Sequence, residues 1–154
     1  MPHRKLLILG FGGHARSVAD LALACGYKTL LFIDPNAKTN ECFMGHPVLK
    51  DLSTLDGSWC EAFAAAGDGR KRSAQCDAID SIGLKLVSLV SPLASIGTGA
   101  TIGMGGFVGH HAHIGPMAVI GRASIINTAA IVEHESHVGD YSHISVNSTI
   151  AGRS

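Results

Sequence analysis

The sequence predicts two architectures in succession: a parallel α/β domain over residues 1–88 and an all-β parallel β-helix over residues 89–154. Apolar runs alternate with helix-spaced segments in the first half, and a branched aliphatic residue returns every sixth position in the second. The chain also holds 19 glycines and few aromatic residues, a composition suited to short aliphatic strands joined by tight turns.

The elements of the first half can be justified in order. "KLLILG" at 5–10 is an apolar run that stops in glycine, the form of a buried strand entering a turn. "HARSVADLALACG" places Val18, Leu21, Ala22 and Cys25 at helical spacing, and Gly26 supplies the stop. "KTLLFID" is a second apolar run, ended by Asp34 and Pro35. "WCEAFAAAGDG" ends a third, and a helix is expected from about Arg70 to Ile82. "GLKLVSLV" at 83–90 reads as a fourth strand. Strand, glycine turn, helix, strand is the order of a parallel α/β unit.

The second half obeys a different period. Steps of six from Ile96 give Ile102, Val108, Ile114, Ile120, Ile126, Val132, Val138, Ile144 and Ile150. Four places after each aliphatic residue stands a small one: Ala100, Gly106, Ala112, Ala118, Ser124, Ala130, Ser136, Ser142, Ser148 and Ser154. Val90 with Ala94 extends the pattern one step back. A period of six fits neither an α-helix nor an ordinary sheet; it makes each hexad one flat side of a triangular coil. The aliphatic residue points inward and stacks on its equivalent eighteen residues on, stabilised by about 25 cal/mol per Å² of buried apolar area. The small residue fits the corner. The glycines immediately after the aliphatic position (97, 103, 109, 115 and 121) are expected to help the chain turn.

Bulk properties exclude several functions. Twelve basic residues balance twelve acidic ones, and only "GRKR" at 69–72 is strongly basic, which argues against nucleic acid or an anionic membrane as partner. No apolar run approaches a membrane span, and the amino terminus lacks the long apolar region and small-residue cleavage site of a signal peptide. A cytoplasmic protein is expected. Cys25, Cys42, Cys60 and Cys76 form no C-x-x-C pair and read as reduced, incidental thiols.

Two places carry chemistry. In the β-helix the residue after the aliphatic position changes from glycine to Asn127 and then Glu133, and "IVEHE" follows with His134 and Glu135. An imidazole titrates near neutral pH, and a carboxylate beside it can fix its tautomer and raise its basicity, which suits a general base. In the first half, Gly10, Gly12 and Ala15 of "GFGGHA" fit the G-x-G-x-x-G/A turn that presents a helix N-terminus to phosphate. Asp34 stands at the right distance for a ribose contact. Taken alone, this turn suggests NAD, although the first half is short for a full dinucleotide fold. His110, His111 and His113 form H-H-x-H, but no cysteine or acid joins them at ligand spacing, so no metal is assigned; His137 has no role.

Over essentially its whole length the chain resembles the bacterial sugar acetyltransferases of the left-handed β-helix superfamily. The similarity is to the nucleotide-aminosugar N-acetyltransferases and their sialic acid O-acetyltransferase relatives. It rests on the glycine turn, the hexads and the "NTAAIVEHE" segment at 127–135. The resemblance implies a small Rossmann-like domain ahead of a left-handed β-helix, acetyl-CoA as co-substrate, and a homotrimer with active sites between neighbouring β-helices. It implies His134 as general base and Glu135 as its helper, with Asn127 and Glu133 lining the same cleft and His143 contacting acetyl-CoA. It also implies that Gly12, Gly13, His14, Asp34 and Gly67 bind a nucleotide-linked sugar rather than NAD. Ser91-Pro92 stands where many relatives have His-Pro. The repeats stop at Ser154 in mid-pattern, whereas chains of the family continue through further coils, so a truncated product or fragment is expected. The leading expectation is N-acetylation of a UDP-4-amino-sugar for surface glycan synthesis. The alternatives are O-acetylation of a sugar such as sialic acid, and an inactive nucleotide-sugar-binding module.

Overall fold

The structure, a computed structural model, describes residues 3–154. The first two residues of the domain expected over 1–88 lie outside the described residues. The chain forms two compact units, one ending at Val87 and the other spanning Ser88–Ser154.

The first unit runs β1 (Lys5–Leu9), α1 (Gly13–Ala24), β2 (Thr29–Ile33), β3 (Cys42–Phe43), β4 (His46–Leu49), β5 (Glu61–Ala64), α2 (Gly69–Ser81) and β6 (Lys85–Leu86). Its sheet has the order β3-β4-β2-β1-β5-β6. The pairings are parallel except that of β3 with β4. The central strand β1 has neighbours on both edges, and its Leu6, Leu7 and Ile8 are fully buried, which explains an uninterrupted apolar run. Helix α1 buries Ala15, Val18, Ala19, Leu21 and Ala22, which includes Val18, Leu21 and Ala22 of the predicted stripe, while Cys25 is its half-buried C-cap.

The β3–β4 hairpin was not expected. Its two-residue turn places Met44 at φ 50 and Gly45 at φ 79, the primed geometry that matches strand twist. A methionine in that position hides the turn from a sequence search. The single strand expected over 83–90 is split: Lys85–Leu86 joins the α/β sheet, and Leu89–Val90 begins the β-helix.

The second unit is a chain of two-residue strands: β7 (Leu89–Val90), β8 (Ser95–Ile96), β9 (Thr101–Ile102), β10 (Phe107–Val108), β11 (His113–Ile114), β12 (Val119–Ile120), β13 (Ile125–Ile126), β14 (Ile131–Val132), β15 (His137–Val138), β16 (His143–Ile144) and β17 (Thr149–Ile150). They stack as three parallel sheets, β7-β10-β13-β16, β8-β11-β14-β17 and β9-β12-β15. Each pair is offset by one coil, as in Val108 with Ile126 and Ile114 with Val132. Val108, Ile114, Ile126 and Val132 are fully buried, so the aliphatic positions form the interior ladder.

The corners differ from expectation in one respect. The left-handed residue of each turn is the third after the aliphatic one: Gly99, Gly105, His111, Met117, Ala123, Ala129, Glu135, Tyr141, Asn147 and Arg153 all have φ between 50 and 77. The glycines directly after the aliphatic position serve another purpose. A Cβ on Gly103 would lie 2.6 Å from Arg122 N, and one on Gly115 would lie 2.5 Å from His134 N. These glycines let the next coil's backbone approach closely.

The small corner residues include serines that fasten coils together. Ser124 Oγ donates to Gly139 O at 2.7 Å and accepts from Ser142 N at 3.2 Å. Ser136 Oγ does the same with Ala151 O at 2.7 Å and Ser154 N at 3.3 Å. Ser88 Oγ repeats the pattern with Gly103 O and Gly106 N, so the repeat reaches further back than the aliphatic positions reveal.

Candidate active site

The five residues singled out in the first unit line one cavity of about 340 Å³: Gly12, Gly13, His14, Asp34 and Gly67. Gly10 makes the turn, with φ 100 and its N–H donating to Ile33 O at 2.7 Å. Helix α1 follows its N-cap Gly12 with no side-chain cap, so its positive dipole end is available to an anion. Asp34 ties the turn to the end of β2: its Oδ2 accepts from Phe11 N at 2.9 Å and its Oδ1 from Asn36 N at 2.8 Å. Each oxygen keeps lone-pair capacity for a further donor.

The far wall is the turn before α2. Asp68 caps that helix, accepting from Lys71 N at 2.9 Å; this backbone bond holds its carboxyl below the usual carboxylate range. Arg72, fully buried, donates to the carbonyls of Ala66 and Gly67 at 2.9 Å each. Gln75 accepts from Ala66 N at 2.9 Å. The turn bearing Gly67 is therefore clamped from behind, and a buried guanidinium adds positive potential beneath a cavity lined also by Lys71. The sequence reading missed Lys71, Arg72 and Gln75; their helical spacing in α2 was the available signal.

In the second unit His134 and Glu135 sit at the corner after β14. His134 Nδ1 lies 3.2 Å from Glu135 Oε2, and the side chains are 49% and 48% exposed. With Nδ1–H donating to the carboxylate, the Nε2 lone pair is left to accept a proton. The ring rests over Gly152 of the next coil: a Cβ there would lie 2.7 Å from His134 Cε1 and 2.9 Å from Cδ2, and nearer still to Nε2. Arg153 Nε donates to Glu135 Oε2 at 2.6 Å, and Arg153 N donates to His134 O at 2.9 Å. Arg153 first, then His134, holds the Glu135 carboxyl below its ordinary value. Gly152 and Arg153 were not anticipated, although each lies eighteen residues beyond its partner, one coil on.

Asn127 and His143 pair with each other, Asn127 Nδ2 lying 3.0 Å from His143 Nε2. Asn127 Oδ1 also accepts from Thr128 N at 2.8 Å. Glu133 is half-buried at the next corner, with its N–H donating to Ile150 O at 3.0 Å. Two other histidines support the coil: His110 Nδ1 lies 2.7 Å from Ser91 Oγ, and His113 Nδ1 lies 3.1 Å from Ser95 Oγ. Ser91 is buried and its hydroxyl also accepts from Leu93 N at 3.0 Å, which marks it as a structural lock rather than a nucleophile. Among the described residues, no group of three or more His, Cys, Asp or Glu side chains is placed to hold a metal ion. No helix among them is long and apolar enough to cross a membrane.

A parallel β-helix presenting a half-exposed imidazole–carboxylate pair is equipped for acyl transfer by general-base catalysis. The PglD N-terminal domain family matches residues 5–79. The acetyltransferase domain of PglB from Neisseria gonorrhoeae FA1090 matches with a TM-score of 0.87 and 32% identity, over 97% of this chain and 74% of that one. That domain is also known in complex with acetyl coenzyme A. A mutant of the GDP-perosamine N-acetyl transferase from Caulobacter crescentus, in complex with CoA and GDP-perosamine, matches with a TM-score of 0.86 and 29% identity, over 96% and 71% of the two chains. WeeI from Acinetobacter baumannii AYE, at 19% identity and a TM-score of 0.82 over 91% and 68%, shares the fold. No curated protein matches the chain. The chain belongs to the sugar N-acetyltransferase family of the hexapeptide-repeat superfamily, in which the PglD-type N-terminal domain precedes the repeats.

Proposed function

We propose that this protein transfers the acetyl group of acetyl-CoA to the amine of a nucleotide-linked amino sugar, a UDP-4-amino-sugar, with His134 as general base. The observation that carries the proposal is the His134–Glu135 couple, exposed on one side and tied on the other. The relatives solved with acetyl coenzyme A, and with CoA and GDP-perosamine, support the same two substrate classes here.

The first unit, a short Rossmann-like domain, holds the nucleotide end of the sugar. The amides of Gly12 and Gly13 at the start of α1 receive the diphosphate, His14 and Gly67 border it, and Asp34 takes a ribose hydroxyl. The second unit, a left-handed β-helix in this reading, carries the chemistry. Nε2 of His134 takes a proton from the amine as nitrogen attacks the thioester carbonyl. Glu135 stabilises the imidazolium that forms. The C–S bond then breaks, and the proton on Nε2 passes to the departing CoA thiolate. Acetyl-CoA is consumed as a substrate, and the donor set fits it: a base with one ring nitrogen available is what a thioester and an amine require. His143 and Asn127 border the acetyl-CoA and sugar approaches as one hydrogen-bonded pair.

A homotrimer completes the reading. Exposed Met104, Met117 and Val119 on the β-helix give such an assembly apolar surface to cover. The protein would act in the cytoplasm and supply surface glycan synthesis.

The test is acetyl transfer from acetyl-CoA to UDP-linked, GDP-linked and CMP-linked sugars, measured by thiol release and product mass, with His134→Ala as control. The proposal expects amide formation on a UDP-4-amino-sugar and its loss in the variant. Ester formation on a hydroxyl acceptor, or turnover that survives the substitution, would replace it.

A further inference from the structure

We propose that Arg153 is a positioning residue of this site: its guanidinium sets the Glu135 carboxylate and, through it, the orientation of the His134 imidazole. The inference rests on His134 being the base, as argued above.

One oxygen does double duty. Glu135 Oε2 receives Arg153 Nε at 2.6 Å and faces His134 Nδ1 at 3.2 Å. The first contact is short and charge-assisted, so it governs where the oxygen sits; the imidazole aligns to an acceptor already placed. A glutamate on an exposed corner otherwise has rotamers to spare. The backbone makes the arrangement specific. Glu135 and Arg153 occupy equivalent corners of successive coils, with φ of 57 and 60. Arg153 N donates to His134 O at 2.9 Å, so a single residue grips the main chain of the base and the side chain of its helper. Its neighbour Gly152 lies beneath the ring. Residues 152 and 153 thus form a seat on which the couple rests.

The Arg153 side chain is 76% exposed, and such a pair adds little to global stability. Its effect falls on geometry and on the charge of the carboxylate.

Arg153→Gln and Arg153→Lys test the proposal. Misplacing a reacting group by about 1 Å can cost about a hundredfold in rate, so kcat for Arg153→Gln is expected to fall by about ten- to a hundredfold. Both KM values should stay within about twofold, the thermal midpoint should hold, and Arg153→Lys should recover part of kcat. The second readout is the carboxyl ¹³C titration of Glu135, followed in the chain without substrate. Loss of the guanidinium should move its midpoint to higher pH. A Glu135 midpoint that stays in place, or kcat that is unchanged in Arg153→Gln, overturns the proposal. His134→Ala separates the two levels of argument: retained turnover there overturns the assignment of the base, while the Glu135 titration still reports on Arg153 independently.

Discussion

As the proposed base, His134 must keep one ring nitrogen available while the other is held, and its corner of the coil provides both conditions. Nδ1 meets Glu135, and Nε2 lies over a residue with no side chain. His134→Ala is expected to lower kcat by about 10²- to 10⁴-fold, measured under saturating acetyl-CoA. Gly152→Ala should also lower kcat, because its methyl would occupy the space of the imidazole. The obstructed atoms belong to a movable ring rather than to backbone, so the ring should rotate away and the thermal midpoint should change little. A large loss of stability in Gly152→Ala would contradict this account. The pH response of Glu135 follows from its partners. Arg153 and His134 stabilise the ionised carboxylate, so its pKa is depressed. The pairing is therefore complete above the ordinary glutamate range and is lost only as the pH falls through the lowered value. A carboxyl ¹³C titration with a midpoint at or above that of free glutamate would contradict it.

At the scale of elements, the coil depends on close approach and on buried hydroxyls. Gly115→Ala would drive a Cβ to within 2.5 Å of His134 N and 2.8 Å of Glu133 C, both backbone atoms that cannot swing aside. Overpacking of this kind costs about 1–3 kcal/mol, and calorimetry should show a lowered midpoint together with lost activity, since the displaced backbone is that of the proposed base. Ser136→Ala removes a fully buried hydroxyl and strands Ala151 O and Ser154 N, at a cost of about 1–2 kcal/mol, measurable by denaturant unfolding. The hexads were legible in the sequence because each rung asks the same of its aliphatic residue, and repetition amplifies a weak local preference. The purpose of the glycines was not legible, because what they avoid lies one coil away. The β3–β4 hairpin was hidden for a different reason: Met44 adopts a left-handed conformation that its residue type does not announce.

At the scale of the whole molecule, the proposed function divides the labour between the two units, and substitutions should separate it. Gly12→Val, at the start of α1, should raise KM for the nucleotide sugar and leave KM for acetyl-CoA near its original value. His134→Ala should lower kcat to the extent given above while calorimetric titration shows nucleotide-sugar binding intact. Loss of that binding in His134→Ala would mean the assignment of roles is wrong. The residues chosen from the glycine turn share one cavity because a strand-turn-helix unit brings its first loop and the end of the next strand to the same sheet edge. Lys71 and Gln75 join them, and Arg72 backs the wall, only through the fold of α2 against that edge.

Taken by itself, the sequence determined the stacked coils of the second unit and the adjacency of the pair proposed to react. A period of six commits the chain to stacked sides, and the adjacent residues His134 and Glu135 need no tertiary information to meet. Tertiary structure alone decided how that pair is held. Gly152 and Arg153 act on it across the gap between coils, where the distance depends on strand pairing and on the left-handed corners at 135 and 153. Such contacts have no local signature, because neither residue is unusual in its own hexad; they arise when eighteen residues of chain close into one turn.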